Sequence, residues 1–137
     1  MVEIVQSCRK LRKLVIYQLG RRLTDVVVQS VAVNCRLLEH LDVAGCTAVS
    51  DAAVRRVAES CPLLQFIDLQ NSSITDATVV SLCKHCPRLK VMYLGECLHL
   101  TDAAVLAVAA RLPGLSHIHW SIRNSSDHEQ RGGNTRQ

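Results

Sequence analysis

The chain has 137 residues, 48% of them apolar, 20% charged and 3% aromatic, with a formal net charge of +4. That apolar share excludes a charge-dominated disordered chain, and so small an excess of positive charge does not by itself point to nucleic acid or a membrane surface. No apolar run is long enough to span a bilayer, the start Met1-Val2-Glu3-Ile4 lacks the basic and apolar regions of a secretory signal, and seven cysteines, an odd number, argue for reduced thiols in the cytoplasm or nucleus.

In chain order, the first unit begins at Cys8 and continues with Leu11, Leu14 and Ile16 in a Leu-x-x-Leu-x-Leu pattern. The last two positions alternate with polar residues, which predicts a short strand with one buried face. Thr24-Asp25 then opens a helical stretch. Threonine is a good N-cap, because its oxygen accepts an orphan backbone N–H, and an aspartate in the first turn meets the positive helix end.

The same sentence is repeated three more times. The second unit runs Cys35, then Leu38/Leu41/Val43, Cys46, Ser50-Asp51 and the apolar set Ala53, Val54, Val57, Ala58. The third runs Cys61-Pro62, Leu64/Ile67/Leu69, Ser72, Thr75-Asp76 and Val79, Leu82, Cys83. The fourth runs Cys86-Pro87, Leu89/Met92/Leu94, Cys97, Thr101-Asp102 and Ala104, Val105, Val108, Ala109. A fifth strand, Leu115/Ile118/Trp120, follows Leu112-Pro113. The aspartates Asp25, Asp51, Asp76 and Asp102 recur about every 26 residues, and the prolines stop the helices. A unit of strand, loop, helix and return cannot bury its apolar face alone, so stacked units must share one core. The expected architecture is an α/β solenoid over residues 1–120, with parallel strands on the concave face and helices on the convex one. Residues 121–137 carry one apolar side chain and adjacent glycines and are expected to form a disordered tail. No terminal cap is evident, and Trp120 is the residue placed to shield the last edge.

The motif Cys86-Pro87-Arg88-Leu89 through Leu94, then Cys97 and Leu100-Thr101-Asp102, resembles the cysteine-containing leucine-rich repeat. That repeat is typical of F-box/leucine-rich-repeat proteins, the substrate receptors of Skp–cullin–F-box ubiquitin ligases. It occurs as well in F-box-free relatives of the antagonist-of-mitotic-exit-network type. The resemblance covers residues 5 to about 120. It implies non-catalytic protein recognition within a ubiquitin-ligase substrate receptor; the alternative is a structural or assembly subunit of a stable complex. Leu19 and Ser72 stand where Cys46 and Cys97 stand in their repeats. No F-box-like region precedes Cys8, so direct docking on a Skp adaptor is not expected.

Three constellations invite a sharper reading. Cys83-x-x-Cys86, with His85, Cys97 and His99 nearby, has a zinc-like spacing. Yet Cys86 belongs to the ladder Cys8, Cys35, Cys61, and buried thiols behave as small hydrophobes. No metal, cofactor or catalytic residue is therefore expected. There is no nucleotide loop, nucleophile elbow or metalloprotease pair, and the chain is read as no enzyme. Asp42 and Asp68 stand one repeat apart, but a gently concave surface offers no pocket for a catalytic pair. The basic cluster Arg9, Lys10, Arg12, Lys13, Arg21, Arg22 lacks interleaved aromatics for a nucleic-acid platform. The outward strand positions form three expected lines: Lys13, His40, Phe66, Val91, His117; Val15, Asp42, Asp68, Tyr93, His119; and Tyr17, Ala44, Gln70, Gly95, Ser121. Three of four aromatics thus face outward, an interface composition. The expected partner-binding residues are Phe66, Asp68 and Tyr93 at the centre, with Tyr17, Asp42, His119 and the loop residue Glu96 around them. The expected partner is a protein, not a membrane or nucleic acid.

Overall fold

A computed structural model describes residues 2–121 and 133–136. After the short helix α1 (Val2–Ser7), strands and helices alternate: β1 (Lys13–Val15), α2 (Asp25–Asn34), β2 (His40–Asp42), α3 (Asp51–Ser60), β3 (Phe66–Asp68), α4 (Asp76–His85), β4 (Val91–Leu94), α5 (Asp102–Arg111) and β5 (His117–Ser121). Strands β1 to β5 lie side by side, all parallel, in sequence order. The expected solenoid is the observed one.

The strand register matches the expected lines residue for residue. Leu14, Leu41, Ile67, Met92 and Ile118 are paired across the sheet, as are Lys13/His40/Phe66/Val91/His117 and Val15/Asp42/Asp68/Tyr93/His119. Leu41, Ile67 and Met92 are fully buried. They share one core with Leu38, Leu64 and Leu89 and with the helix residues Ala53, Val54, Val57, Ala58, Val79 and Leu82. In α5, Val105 is half-buried and Ala109 exposed, although both occupy core positions of the repeat. Among the described residues no helix stacks beyond α5, and a cavity of about 230 Å³ lined by Val105, Val108, Ala109, Leu112, Leu115 and Ile118 opens there.

Two devices tie each repeat to the next. The first is the thiol ladder. Cys35 Sγ donates to the carbonyl of Cys8 at 3.6 Å, Cys61 Sγ to Cys35 at 3.4 Å, and Cys86 Sγ to Cys61 at 3.7 Å. A second ladder takes Cys46 Sγ to Ile16 O at 3.3 Å and Cys97 Sγ to Leu69 O at 3.0 Å. The other device is an aspartate staple that sequence reasoning did not foresee. Asp25 accepts the backbone N–H and hydroxyl of Ser50, Asp51 those of Thr75, and Asp76 those of Thr101. The expected capping role of the hydroxyls is therefore only partly met. Thr75 and Thr101 accept from Ala77 and Ala103, each at 3.3 Å, but Thr24 and Ser50 make no such cap bond. A hydroxyl has one proton to donate and lone pairs left to accept with, and Thr75 and Thr101 use both, giving the proton to the preceding carboxylate and accepting from their own helix.

The segment expected to be a disordered tail differs at both ends. Ser121 closes β5, and Gly133–Arg136 forms β6, antiparallel to β5. Backbone pairing covers the free edge that a parallel sheet would otherwise expose, so its apolar content was not the deciding property. The rest of that reading, residues 122–132 and 137, lies outside the described residues. Trp120 is buried at that edge, with its indole Nε1 enclosed and, among the described residues, without a hydrogen-bond partner.

Candidate functional site

Because the strand period is two, every side chain that alternates with the core row emerges on the concave face. Neighbouring parallel strands are about 4.8 Å apart, so side chains in one row touch. The rings form an unbroken line over four strands. His40 stacks on Phe66 with centroids 3.9 Å apart and planes within 2°. Phe66 meets Tyr93 at 5.6 Å and 54°, Tyr93 meets His117 at 5.3 Å and 56°, and His119 lies 6.1 Å from Tyr93. The three tilted contacts are of the kind that ring quadrupoles favour, while His40 and Phe66 form a close parallel stack. As a result Phe66 and Tyr93 are half-buried rather than fully exposed.

Asp42 and Asp68 are direct register partners in the next row. Asp42 Oδ1 accepts the backbone N–H of Ala44 at 3.1 Å. Asp68 Oδ1 accepts that of Gln70 at 3.0 Å, and its Oδ2 accepts the Gln70 side-chain amide, also at 3.0 Å. Asp68 is only 8% exposed. Burial pushes its carboxyl above the usual range, with repulsion from Asp42 adding to it, while the Gln70 bonds and His119 work the other way. Of the two carboxylates, Asp42 is half-buried and Asp68 buried. His40 moves down from its ordinary value, first by burial and then by Lys13, with Asp42 and Asp68 opposing. At neutral pH it is an uncharged ring, which suits its stack on Phe66.

The structure brings Asp42, Phe66, Asp68, Tyr93 and His119 together. Tyr17 stands apart, 57% exposed beyond the end of β1. Glu96 sits in the loop after β4 at φ 57°, its N–H bonded to Ser121 Oγ at 2.9 Å. His40 and His117 belong to the ring line yet were not among the expected site residues. Their place in the first outward row was the available signal. His119 packs over Gly95: a β-carbon there would lie 2.8 Å from His119 Cε1, and His119 Nδ1 is enclosed without a partner.

Three of the buried thiols are held protonated by their surroundings. Burial pushes Cys61 and Cys86 up to about 12 and Cys83 to about 11, so none is a thiolate at neutral pH. Cys83 and Cys86 belong to the core, and Cys86 Sγ is spent on the Ala58 and Cys61 carbonyls. Among the described residues no three His, Cys, Asp or Glu side chains are grouped to hold a metal ion, and no helix is long and apolar enough to cross a membrane.

No protein-family model and no curated protein matches the sequence. Solved structures do. The chain is similar to leiomodin-1 actin-binding site 2 at 9% identity and a TM-score of 0.64, over 90% of this chain and 78% of that one. It is similar to the tropomodulin C-terminal domain of Caenorhabditis elegans at 15% identity and 0.66, over 91% and 84%. A chain of the Rad7–Elc1 complex in yeast aligns at 14% identity and 0.51, over 70% of this chain but only 32% of its own length. At such identities the likeness is one of fold: a leucine-rich-repeat-like solenoid of the tropomodulin and leiomodin type. It does not single out F-box proteins or antagonist-of-mitotic-exit-network relatives.

Proposed function

We propose that this chain is a non-catalytic protein-recognition module, serving as a binding subunit in a protein assembly, with its concave face as the contact surface. The observation that carries this reading is the ring line His40–Phe66–Tyr93–His117, which crosses four strands on a face the fold leaves uncovered by helices. Aromatic anchors of this kind, rimmed by polar groups, are the composition of binding hot spots. The neighbours in fold point the same way: one is an actin-binding site and another comes from a two-protein complex. The assembly reading has more support than the ubiquitin-ligase one. The latter rests on the Cys-Pro repeat motif, whose cysteines serve to hold the repeats together.

The experiment is affinity capture from a cell extract with the wild type, Phe66→Ala, Tyr93→Ala and a convex-face control, Arg56→Ala, followed by identification of the captured chains. Both concave variants are expected to stay folded and lose the partner that wild type and control retain. Loss in the control alone sinks the assignment. Recovery of cullin or Skp-like chains decides for the ligase reading over the assembly one.

A further inference from the structure

Among the described residues the concave face has an electrostatic imbalance that no neighbouring cation is seen to settle. Ten side chains make up its two main rows, and Lys13, exposed on the edge strand, is the one permanent cation among them. It is in register with His40, not with either carboxylate. Asp42 and Asp68 face each other across adjacent strands, and the bonds described above bring them only neutral donors, the amides of Ala44 and Gln70. Two like charges this close, one of them buried, hold their ionised forms at a cost that a cation from outside would relieve. Tyr93 lies directly opposite Asp68 on the other side, and Phe66 precedes Asp68 by two residues on the same face. The acidic pair is thus bordered by aromatic residues, whose ring faces attract a cation within about 6 Å of the centroid.

Resting on the concave-face reading, we propose that the partner presents an arginine, its guanidinium laid against the Tyr93 ring and forked onto the two oxygens of the half-buried Asp42, with the buried Asp68 beside it adding its charge. A metal ion fits less well, because among the described residues no third ligating side chain joins the pair. Lysine fits less well too: its ammonium is a compact point charge. A guanidinium is flat, stacks on rings and divides its donors between two acceptors. The recognised segment is therefore a basic one whose arginine reaches the centre of the sheet, between β2 and β4.

The test uses a defined probe, the blocked peptide acetyl-Gly-Gly-Arg-Gly-Gly-amide, titrated into the isotope-labelled full chain and followed by amide chemical shifts. Lysine and citrulline versions serve as comparisons. The arginine peptide should shift the amides of Asp42, Asp68 and Tyr93 and bind at least about 5-fold more tightly than the lysine peptide. The citrulline peptide, flat but uncharged, should not bind. Asp68→Asn removes the charge, keeps one acceptor oxygen for the two Gln70 donors, and should weaken the arginine peptide about 10-fold or more. Equal binding of the citrulline peptide, no effect of Asp68→Asn, or shifts confined to the helical face would each overturn the proposal. Asp42→Asn and Asp68→Asn are also carried through the capture experiment. If Phe66→Ala and Tyr93→Ala release the partner while both asparagine variants hold it, the arginine proposal fails and the concave-face reading stands. If none of the four releases it, both fail.

Discussion

Asp51 at the start of α3 accepts the backbone N–H of Thr75 and its hydroxyl, each at 2.8 Å, and so holds the entry of α4 from one repeat away. The Thr78 hydroxyl donates to the same carboxylate. Burial works to raise this carboxyl, but the bonds from Thr75 and Thr78, together with Arg55, bring it below its ordinary value. Replacing Asp51 by Ala strands three donors and should cost about 2–3 kcal/mol in urea denaturation. Asp102 holds the same position in the last repeat and is exposed, so Asp102→Ala should cost less than about 0.5 kcal/mol. Equal losses would refute the staple.

The Asp51 shift also carries a pH dependence. A carboxyl whose folded value lies below its unfolded one contributes stability that is complete above the unfolded value, near 3.8, and lost as pH falls through the folded one. Wild type should therefore lose stability in acid more steeply than Asp51→Asn. Parallel acid limbs in the two unfolding profiles would show that Asp51 is not a source.

At the centre of the sheet, Ile67 is wholly buried and flanked in register by Leu41 and Met92. Ile67→Ala should cost about 2–5 kcal/mol, the range for deleting buried methylenes where neighbours cannot collapse into the space. A loss under about 0.5 kcal/mol by chemical denaturation would mean that the register is wrong.

The thiols divide cleanly. Cys8 is partly accessible, and the other six cysteines are buried. Alkylation of the native chain at pH 8 should therefore stop at one modified cysteine by mass, against seven in urea. Because burial raises Cys61 and Cys86 to about 12, the unfolded chain loses protons first as pH rises above about 9. Stability should fall from there towards pH 12. A strong chelator should leave the circular dichroism of the reduced protein unchanged, and a loss of structure would restore the metal reading of Cys83, Cys86 and Cys97.

Each of the strands β1 to β4 is followed by a residue at positive φ: Gln18 at 57°, Gly45 at 71°, Asn71 at 53° and Glu96 at 57°. Glycine adopts this conformation without strain, whereas a glutamate does not. Glu96→Gly should raise stability by up to about 1 kcal/mol. Gly45→Ala should lower it by a similar amount or more, since its β-carbon would also press within 3.3 Å of the Gln18 Cα. Thermal midpoints moving in the same direction for both would contradict this account.

Periodicity alone determined the architecture. A helix and a strand of fixed length, repeated about every 26 residues, leave one way to stack that buries every leucine row. Leu14, Leu41, Ile67, Met92 and Ile118 could therefore be aligned before any coordinates, and the outward rows with them. The cysteine ladders were legible for the same reason, as positions recurring in step with the leucines. Tertiary structure alone decided how neighbouring repeats meet. Whether Asp51 serves its own helix or the next depends on the lateral distance to Thr75, 24 residues on, which no local pattern encodes. Stacking of His40 on Phe66 and burial of Asp68 beneath Gln70 depend on rotamers chosen by contact across strands. The covering of β5 by Gly133–Arg136 follows from an open edge of backbone donors and acceptors, which pair without regard to the side chains that composition counts.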